Sequence, residues 1–274
     1  MGMISEPNAP QPGTFEMVRR MPCEALNGIV SAISGYRENL RGHYRQRETA
    51  SLTVPLVISF GAPFSIGLGG VPGHNDRVAS FAAGLFAGPV VIDSFGQSCC
   101  VQIDFTPLGA RRFFRMPMRE LTARMVDLGD VLGPEGQALR ERLGNTPDWE
   151  PRLKLAERFV LNRVAEAQSS PSPVAWAFGQ IVAKSGSVSV AKLAARIGWS
   201  RKHLASRFDD EIGLGPKALS RIVRFRRVLG MSGAETDAGW ADLAAACGYS
   251  DQAHLAREFR ALAGVTPSEW RSQR

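Results

Sequence analysis

The chain has 274 residues, 44% hydrophobic and 22% charged, which is the balance of a globular protein and excludes a disordered or fibrous one. Its apolar runs are broken by Gly, Pro or charge well before the ~18 residues a spanning helix needs, and no basic-then-apolar leader opens it, so a cytoplasmic protein with no membrane partner is expected. The net charge of +7 is unevenly spread: residues 187–274 hold 14 Lys or Arg against 9 Asp or Glu, which directs that segment towards an anionic polymer.

Residues 1–22 contain four prolines and no sustained periodicity, and read as a flexible N-terminal arm. Leu26, Ile29, Val30 and Ile33 suit a short amphipathic segment, interrupted by Gly28 and Gly35. A basic run, Arg37 to Arg47, reads as an exposed loop or strand edge. From Leu52 onward the texture is short β-type runs, Leu56–Phe60, Phe64–Leu68, Val90–Ile92 and Cys100–Phe105, separated by Gly/Pro turns. Such a series indicates a small barrel or sandwich. After Pro107 the period turns helical: Leu121, Met125, Leu128 and Leu132 place a helix over 118–131, and further helices are expected over 136–143 and 149–167. Cys23, Cys99, Cys100 and Cys247 form no C-x-x-C pair, which suits a reducing compartment.

Ser169-Ser170-Pro171-Ser172-Pro173 breaks the pattern and marks the domain boundary. The division is an arm over 1–22, a β-rich regulatory domain with C-terminal helices over 23–168, and a helical domain over 169–274. The last domain contains one motif twice. Leu193-Ala194-Ala195-Arg196-Ile197-Gly198-Trp199-Ser200, with Leu204 and Phe208, recurs as Leu243-Ala244-Ala245-Ala246-Cys247-Gly248-Tyr249-Ser250, with Leu255 and Phe259. One residue is inserted after the serines of the second copy. Each copy reads as helix, glycine turn and helix, with Ser200 and Ser250 as expected N-caps. Between them, Pro216 to Met231 reads as a linker helix with an apolar stripe of Leu219, Ile222, Phe225 and Leu229, and with Arg221, Arg224 and Arg227 on another face. Such a helix sets two readers apart for successive major-groove turns, ~34 Å apart, with its arginines at phosphates.

These residues, with the closing Gly264-Val265-Thr266-Pro267-Ser268-Glu269-Trp270-Arg271, resemble the DNA-binding domain of the AraC/XylS family of bacterial transcription regulators. The resemblance implies an all-α domain of two helix-turn-helix units and a linker helix. It implies double-stranded promoter or operator DNA and RNA polymerase as partners, and favours activation. It puts base reading at Lys202 and Ser206 in the first copy and at Ala253 and Arg257 in the second. Arg257 suits a bidentate guanine contact and Ala253 a thymine methyl. The DNA-facing set is completed by Ser200, Arg201, His203, Arg207, Arg221, Arg224, Ser250 and Gln252; Arg207 stands one place beyond the position where the family often carries arginine.

Residues 102–114, 118–122 and 126–133 are similar to the N-terminal domain of a subset of the same family, a degenerate cupin-like β-domain with helices appended, and the similarity covers roughly residues 50–165. That similarity implies a small-molecule effector or a homodimer interface. The whole is thus expected to be α+β: a small β-barrel with appended helices, then an all-α reader. His43 and His74, far apart and unpaired, supply no metal-cupin ligand set, no nucleotide-binding glycine motif occurs, and no nucleophile–base grouping is visible, so neither cofactor nor metal nor catalysis is expected. Two alternatives stay open: an enzyme housed in the β-domain, or a protein-interaction module, each with a basic helical targeting domain.

Overall fold

The computed structural model describes residues 3–5 (main chain only), 15–39, 42–166, 172–233 and 239–273. Its N-terminal half is built from two antiparallel sheets. The first orders strands β1 (Met3–Ser5), β4 (Tyr44–Glu48), β9 (Val90–Ser94), β6 (Phe64–Leu68) and β7 (Arg77–Val78). The second orders β11 (Met125–Asp127), β8 (Phe81–Ala83), β5 (Val54–Ser59), β10 (Cys99–Phe105), β3 (Val30–Glu38) and β2 (Phe15–Arg20).

Side chains alternate across a strand, and in the second sheet both faces are covered. Val101, Ile103 and Phe105 of β10, with Leu56 and Ile58 of β5, join the core shared with helices α1 (Pro107–Phe114), α2 (Leu128–Asn145) and α3 (Trp149–Ala165). Cys100 of β10 and Val57 of β5 face the other way, into the space between the sheets, where Phe64, Ile66 and Phe81 also lie. Double coverage is why these strands read as nearly continuous apolar runs rather than as alternating ones.

Tertiary hydrogen bonds overrule three local readings. Within the expected arm, Phe15–Arg20 is an edge strand, because Glu157 of α3 accepts from Arg20 Nε (3.3 Å) and from the Cys23 amide (2.8 Å). The prolines around it hid that strand; residues 6–14 lie outside the described set. The segment from Leu26 to Ile33 is a short 3-10 turn, Glu24–Leu26, followed by β3. The helix expected over 118–131 is instead a 3-10 turn (Met118–Glu120), strand β11 and the first turn of α2. The Gly84 amide bonds to the Leu121 carbonyl (3.0 Å) and the Leu128 amide to the Ser80 carbonyl (3.0 Å), which pins this stretch to the sheet edge, while Ala123 takes φ +52°. The apolar spacing of a helix is present, but the partners of its main chain are elsewhere. Helix α2 is itself kinked at Gly133–Pro134 and includes the expected 136–143 segment, and α3 ends at Ala165. Of the expected domain boundary, Ser169, Ser170 and Pro171 lie outside the described residues; Ser172 caps the next helix, its hydroxyl accepting from the Val174 amide (3.0 Å).

The C-terminal half is all helical: α4 (Pro173–Ala183), α5 (Val190–Ile197), α6 (Arg201–Glu211), α7 (Pro216–Met231), α8 (Trp240–Ala246), α9 (Gln252–Ala263) and α10 (Pro267–Ser272). The apolar stripe of α7 divides between two cores. Leu219 and Val223 pack with α4–α6 in the core that continues into α1–α3, whereas Ile222, Phe225 and Val228 pack with α8–α10. The protein is therefore α+β, a two-sheet β-domain with appended helices followed by an all-α domain.

Close packing of α3 on the sheet rests on one glycine. A Cβ on Gly35 of β3 meets the Trp149 ring at 2.3 Å. Gly35→Ala is expected to cost about 1–3 kcal/mol through overpacking, read as a lower urea midpoint; an unchanged midpoint would mean that α3 does not seat on this strand.

Candidate DNA-binding surface

Both copies of the repeated motif end their first helix in the same way. Gly198 (φ +78°) and Gly248 (φ +76°) adopt the left-handed conformation that favours glycine, and the amides of Trp199 and Tyr249 reach back to the carbonyls of Ala194 and Ala244, each at 2.9 Å. The second helices then diverge by one residue. Ser200 caps α6, its hydroxyl accepting from the His203 amide at 3.1 Å. The cap of α9 is Asp251, not Ser250: Asp251 Oδ1 accepts from the His254 amide at 2.6 Å, while the Ser250 hydroxyl lies 3.1 Å from Asp251 Oδ2. The inserted residue thus displaces the serine from the capping position and puts a carboxylate at the helix N-terminus, where the dipole favours it. That bond, then the Ser250 hydroxyl, holds the Asp251 carboxyl below the usual aspartate range.

Leu204 and Phe208, like Leu255 and Phe259, are buried at i, i+4 and fix which face each helix turns inward. Exposed on α6 are Arg201, Lys202, His203, Ser206 and Arg207, and on α9 Gln252, Ala253 and Arg257; Ser200 and Ser250 are exposed before them. Among the described residues Arg201, Lys202 and Arg257 form no ion pair, whereas Arg207 is tied back to Glu211 (2.8 Å) and Asp210 (3.8 Å) on its own helix. His203 and His254 stack edge-on against Trp199 and Tyr249, at 4.5 and 5.2 Å between ring centres, so their rings buttress the turns.

The linker-helix arginines are less free than their spacing suggests. Arg221 Nε donates to Glu258 of α9 (2.8 Å), and Arg224 lies 3.6 Å from the same carboxylate and 5.4 Å from the Tyr249 ring centre. Glu258 therefore locks α7 to α9, a role that sequence spacing shows only through its i+4 relation to His254 (3.7 Å).

Helices α6 and α9 are both anchored to the β-domain at their far ends. The acidic end of α6 meets Arg119, which pairs with Asp210, and Thr122 Oγ1 donates to the Gly213 carbonyl (2.6 Å). At the end of α9 the Ala50 amide donates to the Leu262 carbonyl (2.8 Å). These contacts leave the basic N-terminal halves of α6 and α9 facing solvent. None was legible in the sequence, because each joins residues more than ninety positions apart.

The fold and this surface define a double helix-turn-helix domain. Residues 193–273 match the family model described as a helix-turn-helix domain, and residues 18–127 match one described as a domain of unknown function, DUF6597. Over 87 residues the chain is 29% identical to uncharacterised HTH-type transcriptional regulators of Staphylococcus aureus strains MSSA476 and N315, covering 32% of this chain and 12% of theirs. Among solved structures, a probable AraC family transcriptional regulator from Rhodopseudomonas palustris CGA009 is 27% identical over 37% of this chain and 95% of that one, with a TM-score of 0.34. ToxT from Vibrio cholerae is 10% identical over 95% and 98%, with a TM-score of 0.43. Residues 193–273 thus form a helix-turn-helix domain.

Among the described residues no group of three His, Cys, Asp or Glu is arranged to hold a metal ion, and no helix is long and apolar enough to cross a membrane.

The two caps are distinguishable. Ser200→Ala is expected to destabilise the first reader by about 1 kcal/mol. The Asp251 cap, whose folded pKa is lowered, contributes above the ordinary aspartate pKa and is lost as pH falls through the lowered value. Amide exchange along an acid titration, corrected for intrinsic rates, should show the His254 amide losing protection in acid while the His203 amide does not.

Proposed function

We propose that this chain is a sequence-specific transcription regulator whose helices α6 and α9 read adjacent major-groove segments of promoter DNA. The observation that carries the reading is the pair of matched scaffolds, each presenting a capped helix whose exposed face carries a cation outside any ion pair among the described residues, Lys202 on α6 and Arg257 on α9. A helix in this setting reads with its N-terminal residues. In this reading Lys202 and Ser206 address bases on one segment and Arg257, beside Ala253, on the other. Arg201, Gln252, His203 and the serines before each helix sit towards the sugar–phosphate backbone. Arg207, Arg221 and Arg224 support the surface instead, since carboxylates already hold their guanidiniums. The helix α7, 16 residues long, spans about 24 Å at 1.5 Å per residue, a length suited to holding two readers apart.

The β-domain is the control input of this proposal, through a bound effector or through pairing with a second copy, because it grips both readers. A change in its shape alters the angle between α6 and α9 without touching either DNA-reading face. Activation by contact with RNA polymerase is the mode of regulation in this proposal, on the strength of the sequence resemblance to AraC/XylS regulators.

Selection of binding sites from random DNA, followed by affinity measurements over a salt series, tests the reading. Arg257→Ala is expected to lose about 1–3 kcal/mol of discrimination at one base position. Arg201→Ala should weaken all sequences alike and reduce the slope of log K against log salt by about 0.9. Identical behaviour of the two variants, or binding without salt dependence, would overturn the assignment.

A further inference from the structure

The space between the two sheets is only partly filled. It holds a cavity of about 290 Å³, roughly twice the ~150 Å³ of an engineered cavity that accepts benzene. One part of its wall is apolar, with Phe64, Ile66, Phe81 and Ile92; the rest carries Glu48, Asp104, Gln46, Gln102 and Tyr44. Glu48 and Asp104 also border the cleft between the β-domain and α7, so the polar part of the cavity adjoins the domain interface.

Among the described residues the wall holds three carboxylates, those of Glu38, Glu48 and Asp104, and one guanidinium, that of Arg19. Glu38 is satisfied structurally, accepting from the Tyr36 hydroxyl and from the amide of Gly96 at 3.1 Å. Burial raises the Asp104 carboxyl above the usual aspartate range, while Gln102 Nε2, which donates to it at 2.7 Å, Arg19 and the chain's amino-terminal charge favour its ionised form. Glu48 has a single hydrogen bond among the described residues, from Gln46 Nε2 at 3.2 Å, and no ion pair; across the cleft Arg226 does not pair with it. Glu48 is half-buried and borders both this cavity and the cleft beside α7. Its burial, and then the nearby Asp104 charge, push its carboxyl up to about 7, against the smaller opposing pull of the Gln46 hydrogen bond and of the chain's amino-terminal charge. A second observation points to a missing partner. Ser94, 3% exposed and on the same face of β9 as Ile92, has a hydroxyl with no hydrogen-bond partner, and buried polar atoms are rarely left so.

We propose that this cavity binds a small protonated amine carrying an apolar body of roughly ten non-hydrogen atoms, a size set by the cavity volume. The ammonium lies against Glu48 and Asp104, with the Tyr44 ring and the Ser94 hydroxyl beside it, and the body fills the space among Phe64, Ile66, Phe81 and Ile92. An organic anion is excluded by the two carboxylates, and a neutral ligand leaves their repulsion in place. The inference rests on the regulatory reading of the β-domain and gives its effector a chemical class. It also gives a route to the DNA-binding half: two residues after Glu48, the Ala50 amide holds the Leu262 carbonyl at the end of α9.

Three probes of like shape separate the charge classes: phenethylamine, phenethyl alcohol and hydrocinnamate, each added to the full chain during thermal unfolding. The amine alone is expected to raise Tm, by roughly 5 °C near saturation. The shift should be larger at pH 8 than at pH 6, because Glu48 ionises between those values. Glu48→Gln should lose the response to amine while retaining its circular dichroism spectrum, and Glu141→Gln, on the exposed side of α2, should keep it. The proposal is overturned if the alcohol or the acid stabilises as well as the amine, if the amine has no effect, or if Glu48→Gln responds like the unmodified chain. Affinity for a selected DNA site, with and without each probe, separates this from the regulatory reading. An amine that binds but leaves DNA affinity unchanged removes the regulatory role and keeps the ligand class. An alcohol or acid that binds and changes DNA affinity does the reverse.

Discussion

Leu204 with Phe208, and Leu255 with Phe259, are buried one helical turn apart, and the orientation of everything else in the DNA-binding half follows from them. A helix that commits such a pair to a core has its remaining faces assigned. The capped start of each helix then points outward with its cations, while its far end turns back towards the protein. On α6 that far end holds Asp209, Asp210 and Glu211, an unfavourable charge at a helix C-terminus. Arg119 and Arg207 compensate it, and the compensation doubles as the anchor to the β-domain.

The division of α7 between two cores packs both helix-turn-helix units against one helix. One face belongs to the first unit and to the helices on the sheet; the other belongs to the second unit. The Glu258 carboxylate closes the second contact by engaging Arg221 and Arg224. Breaking such a partly buried cluster leaves charges without partners and costs more than an exposed pair contributes. The linker arginines thus set the geometry between readers, whereas their even spacing alone suggested a line of phosphate contacts.

The β-domain touches the two helix-turn-helix units at places far apart in the chain, among them 119–122, Ala50, and Pro89 beside Gly264. The first two lie beside strands, β8 and β4, whose residues line the cavity between the sheets. The strand β4 carries Glu48 into the cavity wall and leads directly to Ala50. The sheet edge at β8 and β11 leads into the turn that holds Thr122. Cavity and reading surface are connected by main chain rather than by a long relay of side chains.

Much of the DNA-binding half was legible in the residues themselves. The left-handed turns at Gly198 and Gly248, the Ser200 cap and the i, i+4 apolar pairs involve partners within a few positions, so the sequence specifies them locally. The single-residue insertion was visible too, but its consequence, Asp251 replacing Ser250 as the cap, depended on which oxygen reaches the His254 amide. The β-domain was legible in its doubly covered strands and not at its edges: β2 and β11 exist because Glu157, Ser80 and Leu121 supply partners from distant segments. The unmatched Glu48, the α7–α9 lock and the anchors of both readers were beyond sequence reasoning for the same reason. Local helix chemistry is written in neighbouring residues, whereas a cavity, an ion-pair hub and a domain contact exist only once the chain has brought remote residues together.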